Sequence, residues 1–249
     1  MKINRTVKRT IEILELIATS EVDLSLNEIS KALEIPKTSA FDILETLVQL
    51  NMLYIKNQGN KTYAVGVKAY SIGMNYSRTS LLLNTSTPII KELARKTGLT
   101  VFIAKEDNKK ILYTSKHDPI KKIIATPEVG HRGFLHSTGA GKSILAFSSN
   151  QEKLMDTITL HPLTNNTIIS MNALKEELDM IKTQGYAFVN GEDEEHAFSI
   201  GAPIFDHNGI ASAAIEILGL YKESYNPTDD IKLLKKAATE ISKLQGWNP

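Results

Sequence analysis

The residues Gly139-Ala140-Gly141-Lys142-Ser143 have the composition of a phosphate-binding loop, in which amides at a helix start cradle an anion. The full pattern G-x-x-x-x-G-K-[ST] requires another glycine where this chain has His136, so nucleotide hydrolysis has no support. The segment reads either as a seat for a ligand carboxylate without catalysis or as a tight turn entering a packed helix. Glu192-Asp193-Glu194-Glu195-His196 could suggest a metal site but reads as a solvated surface loop, and His131, His136 and His161 lack ligand spacing. No serine stands in a G-x-S-x-G elbow. With Cys 0, disulfides, thiolate zinc sites and cysteine catalysis are excluded. The expectation is no catalytic set, no metal and no cofactor.

A second constellation suits nucleic acid. Lys37, Thr38 and Ser39 could reach phosphates or base edges, and Phe41 could touch a thymine methyl, if they shared the exposed face of one helix start. The surrounding pattern supplies that helix. Val7, Ile11, Leu14, Ile17 and Ala18 mark an amphipathic helix over 5–19. Ser25 and Glu28 fit a capping box opening a short helix over 25–33, with Leu26, Ile29 and Leu33 as its buried stripe. After the break at Glu34-Ile35, Pro36 suits the first turn of a third helix that carries Ala40, Ile43, Leu44 and Leu47 and runs to about Leu50. Two β-prone runs, 52–56 and 61–65, flank Asn57-Gln58-Gly59-Asn60 and read as a hairpin wing. Three helices and a wing make a winged helix-turn-helix, which binds DNA or, in the alternative, another protein.

Beyond the wing, Val67, Tyr70, Met74 and Leu81 predict a connector helix over 67–83, and Pro88 to Lys96 a further helix ending at Gly98. That stripe would pair between subunits or pack within one chain. Strands are expected at 101–105 and 111–115 about Asp107-Asn108, at 122–126, 186–190, 198–205 and 210–218, the last two joined by a two-residue turn at Asn208-Gly209. Helices are expected near 138–148, 151–157 and 172–184, and from Asn226-Pro227 to about Leu244. The fold class is therefore α+β, with a winged helix-turn-helix over 1–66, a linker helix over 67–84 and an α/β domain over 85–249.

The 249 residues carry a net charge of +1, which gives no global attraction to nucleic acid. Residues 1–65 balance as well, with eight Lys/Arg and eight Asp/Glu, but four of the basic residues lie in the first nine positions and Lys56 and Lys61 flank the wing tip. No apolar run approaches a membrane span and the start lacks a signal-like stretch, so the expected location is the cytoplasm, without membrane contact.

Val7-Lys8-Arg9-Thr10-Ile11-Glu12-Ile13-Leu14-Glu15-Leu16, Leu24 to Ser30, Ile35-Pro36-Lys37-Thr38-Ser39-Ala40 and Leu44-Glu45-Thr46-Leu47 resemble the start of IclR-family regulators. His131 to Lys142, and the stretch from Gly185-Tyr186-Ala187 to Ala202-Pro203-Ile204-Phe205-Asp206, resemble that family's central loop and late sheet segment. The resemblance covers nearly the whole chain. It implies a transcription regulator with a GAF-like effector-binding domain, acting as a dimer or tetramer on a palindromic double-stranded DNA operator. The expected DNA-binding set is Arg5, Lys8, Ser25, Asn27, Lys37, Thr38, Ser39, Phe41, Asp42, Lys56 and Lys61. Phe41-Asp42 departs from the family, which often has a basic residue here; a carboxylate can accept from cytosine N4 or else turns toward the protein.

In relatives that bind small oxo acids, the ligand touches the central loop, an aspartate, a cysteine and two serines. The matching positions here are Gly139, Ala140, Val189, Ser199, Glu216 and Leu218, so only the loop is kept. Glu216 and Leu218, two apart, share one side of a strand with Ala214. This set implies a larger or partly cationic effector rather than a small oxo acid. The competing reading puts Glu216 at a solvated edge of a domain that serves oligomer assembly in an interaction scaffold. An enzyme in the C-terminal domain would need a nucleophile, base or metal set, and none is found.

Overall fold

A computed structural model describes residues 3–120 and 126–249. The strand expected at 122–126 lies, apart from Thr126, outside the described residues. The chain divides into two compact units, Met1–Thr79 and Ser80–Pro249.

In the first unit, α1 (Arg5–Thr19) starts at Asn4, whose side chain accepts the N–H groups of Thr6 and Val7 and so satisfies two free donors of the first turn. Its buried stripe is Ile13 and Ile17, whereas Val7 and Ile11, expected inside, are 59% and 50% exposed. β1 (Leu24–Ser25) leads into α2 (Leu26–Ala32), where Glu28 accepts the Ser25 N–H at 2.8 Å as the capping box requires. The break that follows is held by the Ser30 hydroxyl, which donates to Ile35 O at 2.7 Å, and Glu34 takes a left-handed φ of 51°. Pro36 sits at the N-cap rather than inside the first turn of α3 (Lys37–Gln49), and Ala40, Ile43, Leu44 and Leu47 are buried as the spacing requires.

β2 (Leu53–Asn57) and β3 (Thr62–Val65) form the hairpin, and β1 adds to it as a three-stranded antiparallel sheet of order β1-β3-β2. β1 has only two residues, too few to show a period, and was not foreseen. α4 (Val67–Thr79) follows with no buried residue. The expected connector over 67–83 is therefore shorter, and Leu81 does not continue its stripe but opens the next helix.

The second unit begins with α5 (Leu81–Thr97), capped by Ser80 and passing through Pro88, where sequence spacing had placed a helix start. A proline inside a helix costs one backbone hydrogen bond. Burial of Leu82, Leu83 and Ser86 ahead of Pro88 holds those residues in the same helix nonetheless. β4 (Thr100–Asp107) and β5 (Lys110–His117) pair across Asn108-Lys109, both with positive φ, and β6 (Arg132–Phe134), also unforeseen, pairs with β5. α6 (Gly139–Phe147), α7 (Gln151–Met155) and α8 (Met171–Gln184) precede β7 (Ala187–Asn190), β8 (Ala197–Phe205), β9 (Ala211–Leu220) and α9 (Thr228–Leu244). The β8–β9 connection spans 206–210 rather than two residues, because Asp206 Oδ1 accepts the N–H groups of both Asn208 and Ile210.

The six strands form one antiparallel sheet of order β6-β5-β4-β9-β8-β7. Alternation sends Val101, Ile103, Ile200, Ala202, Ile215 and Ile217 into a core with α5 and α9, and Phe102, Ala104 and Ala214 into a second core with α6 and α8. Gly201 of β8 lies against the start of α6: a Cβ there would come within 2.1 Å of Gly139 C and O. Only glycine allows the helix start to sit this close to the sheet.

Candidate functional site

On the α6 side of the sheet lies a cavity of about 920 Å³, bordered by Tyr113 of β5, Thr138, Val189 of β7, Ser199 of β8, Glu216 and Leu218 of β9, and the loop Asp193–His196. The volume suits a drug-sized organic molecule. The first amides of α6 lie behind this wall and are already engaged by residues that border the cavity. Gly139 N–H donates to Ser199 Oγ at 3.0 Å, Ala140 N–H to Glu216 Oε1 at 3.0 Å and Gly141 N–H to Thr138 Oγ1 at 3.1 Å. The other oxygen of Glu216 accepts from the Tyr113 hydroxyl at 2.6 Å. Glu216 has 0% exposure, so it is not at a solvated edge. Burial raises its carboxyl above the ordinary range, opposed by the hydrogen bonds from Tyr113, Ala140 and Ser199. Burial and the nearby Glu216 likewise raise the Tyr113 phenol, which remains a hydrogen-bond donor.

Behind the amides, Lys142 has no exposed side-chain surface and makes two hydrogen bonds of 2.9 Å to Glu177 of α8 and one of 2.5 Å to Glu192. The reading of the acidic run as solvated holds for Glu194, Glu195 and His196 and is corrected for Glu192 and Asp193. Glu192 is 7% exposed and structural, Asp193 borders the cavity and accepts from Ser137 Oγ at 2.8 Å, and Glu194, Glu195 and His196 form an exposed rim. His136 and His161, remote in sequence, have ring centroids 6.5 Å apart; the His161 N–H donates to His136 Nε2 at 3.1 Å. Burial lowers the His136 pKa, in keeping with an accepting nitrogen. Among the described residues no group of three or more His, Asp or Glu is placed to hold a metal.

In the first unit, α3 presents Lys37, Thr38, Phe41 and Asp42 on its exposed side, with Ser39 half-buried because Arg9 of α1 donates to its Oγ at 3.3 Å. Arg9 was not among the expected contact residues. Asp42 is exposed, so its carboxylate is not buried against the protein. Arg5, Lys8, Asn27 and Lys61 are exposed, Lys8 lying 3.3 Å from Glu12. Ser25 spends its hydroxyl on Glu28, and Lys56 is paired with Asp23 at 2.7 Å, which raises its pKa.

Of the six expected effector residues, Val189, Ser199, Glu216 and Leu218 border the cavity, while Gly139 and Ala140 reach it only through Ser199 and Glu216. The reading of this helix start as an open seat for a ligand carboxylate is corrected, since the chain's own groups fill it. Tyr113, Thr126, His131, Leu163, Thr164 and Asp193 also border the cavity and were missed. The early signals among them were His131, which heads the central loop motif, and Asp193, which lies in the acidic run.

The geometry can be set beside known proteins. Residues 6–54 match the model of the IclR helix-turn-helix domain, and residues 74–243 the model of the bacterial transcriptional regulator IclR C-terminal domain. The HTH-type transcriptional regulator BhcR of Paracoccus denitrificans is 30% identical over 217 residues, covering 86% of this chain and 77% of that one. The Thermotoga maritima IclR structure has a TM-score of 0.72 at 29% identity, covering 97% of this chain and 99% of that one. An IclR homologue from Microbacterium hydrocarbonoxydans, complexed with 4-hydroxybenzoate, shares the fold with a TM-score of 0.80 at 17% identity, covering 96% of this chain and 98% of that one.

Proposed function

The chain belongs to the IclR family of bacterial transcriptional regulators, and on that premise we propose how its two units divide the work. It is a DNA-binding regulator controlled by a small molecule held in its C-terminal domain. We assign DNA binding to residues 1–66, with Lys37, Thr38, Phe41 and Asp42 of α3 reading base edges in the major groove. Arg5, Lys8, Asn27 and Lys61 meet the flanking phosphates, as Lys56 does if it leaves Asp23. Ser25 fixes the start of α2, and Ser39, held by Arg9, lies beside the readers.

We assign effector binding and self-assembly to residues 85–249, with residues 67–84 as the link, within which α4 ends at Thr79. The single observation that carries the effector assignment is the cavity of about 920 Å³ bordered by Val189, Ser199, Glu216 and Leu218. A homodimer or tetramer on a palindromic operator is supported by α4, whose Val67, Tyr70 and Met74 are 75%, 67% and 48% exposed. A ligand that prefers one arrangement of paired DNA-binding units shifts the population toward it. The cytoplasm is the location we propose, because that is where a bacterial regulator meets its operator; separately, no described helix is long and apolar enough to cross a membrane.

Genomic fragment capture with the purified chain, followed by gel shifts at two salt concentrations, tests this reading. A palindromic site whose affinity falls with salt is expected, because phosphate contacts release counterions. Absence of any enriched sequence at low salt would instead favour a protein-interaction scaffold.

A further inference from the structure

A helix start offers partial positive charge and unpaired N–H donors, and a cavity ending on one ordinarily welcomes an anion. Here each of the first three amides of α6 has an internal acceptor, and one of these acceptors is a side-chain carboxylate. Glu216 arrives from β9, in register with Gly201 of β8 and Phe102 of β4, so the sheet fixes its position. Gly201 lacks a side chain against Gly139, and this close approach brings the Ala140 amide within reach of the Glu216 carboxylate.

The carboxylate is well held. Oε1 accepts from Ala140 and Oε2 accepts from Tyr113, while the Ser199 hydroxyl on the same wall is the acceptor for Gly139. A carboxylate has about four acceptor directions, and the Ala140 amide and the Tyr113 hydroxyl use two of them. Asp193 stands on the same cavity wall with one oxygen bonded to Ser137, and Glu194 and Glu195 border the rim. Among the described residues that border the cavity there is no Lys or Arg.

Resting on the effector assignment above, we propose that Glu216 is a tethered internal carboxylate that occupies the anion seat of the cavity, so that the effector presents a hydrogen-bond donor at this end: a hydroxyl, an amide N–H or an ammonium, not a carboxylate. Asp193 is the acceptor that meets it. Glu216 is thereby a specificity-determining residue that excludes anions by filling the helix start at the cavity wall.

Benzoate and benzamide, nearly identical in shape but differing in charge and in the presence of an N–H donor, are titrated into the full-length chain by calorimetry in mildly alkaline buffer. The Glu216→Ala variant uncovers the Ala140 amide and is expected to bind benzoate at least 10-fold more tightly than the unaltered chain, with benzamide changing much less. Glu216→Gln keeps the shape and removes the charge; a smaller gain for benzoate is expected, and this variant decides the matter if Glu216→Ala melts early. Benzoate binding equally tight before and after substitution, or no gain in a folded variant, overturns the proposal. Gel shifts of the same variants on operator DNA without ligand report separately on the regulator reading, which stands if sequence-specific, salt-sensitive binding persists.

Discussion

Lys142 Nζ lies 2.5 Å from Glu192 Oε1 in a position where the lysine side chain has no exposed surface. The pair, completed by Glu177, fastens α6 and α8 to the loop that rims the cavity. Buried charges are costly to desolvate, so the value of this trio is lost when one partner is removed and the others stay charged. Lys142→Met is expected to destabilise the second unit by about 3–5 kcal/mol in urea denaturation. Adding Glu177→Leu and Glu192→Leu should recover most of that loss; a triple variant no more stable than Lys142→Met would show that the charges are not the cause.

Close approach rather than backbone freedom explains Gly201. A methyl group there would fall 2.1 Å from Gly139 and 2.6 Å from Ala140 N, forcing α6 off the sheet. Gly201→Ala should cost about 1–3 kcal/mol or more, as overpacked sites do. It should also abolish ligand-induced shifts in melting temperature. Gly73→Ala, on α4 with nothing within 4 Å, provides the contrast and should be neutral or slightly stabilising. Equal effects of the two substitutions would refute the packing argument.

Glu216 gives a pH signature. Its carboxyl is raised above the ordinary 4.5 chiefly by burial, so between the ordinary and the raised value the folded chain holds a proton that the unfolded chain has released. Stability from this group is therefore complete below the ordinary carboxylate range and declines as pH rises through the raised value. Glu216→Gln removes that decline. Thermal melts across pH should show the variant gaining on the unaltered chain as pH rises from the acid side. A constant difference between the two would mean that Glu216 is not raised.

At α3, Thr38→Ala should cost about 1–3 kcal/mol on the preferred operator and relax preference at one base step, as loss of a base contact does. Lys61→Ala, at the wing, should instead weaken binding to all sequences and reduce the slope of log affinity against log salt by about 1. Asp42→Arg should change the preferred base opposite it; unchanged operator preference and affinity would remove Asp42 from base reading. Gel shifts on randomised operators distinguish these outcomes.

What the sequence by itself determined is what short-range chemistry encodes. Buried spacing along α3, the Ser25–Glu28 cap, the wing turn and most strands followed from periods of two and 3.6 and from turn residues, because each depends on neighbours a few positions away. The order of family motifs added the two-domain plan and the positions of Val189, Ser199, Glu216 and Leu218. The same local rules failed where packing overrode them: Pro88 runs inside a helix, β1 is too short to show a pattern, and the α1 stripe is Ile13 and Ile17 rather than Val7 and Ile11.

Only the tertiary structure decided the chemistry of the cavity. Ala140 meets Glu216 across 76 positions and Tyr113 meets Glu216 across 103, while Lys142 finds Glu192 50 positions away. Those meetings are set by sheet register and by the approach of Gly139 to Gly201, which no spacing along the chain reveals. A glutamate that reads as a ligand contact or a solvated edge is, once folded, buried and hydrogen-bonded to the helix start.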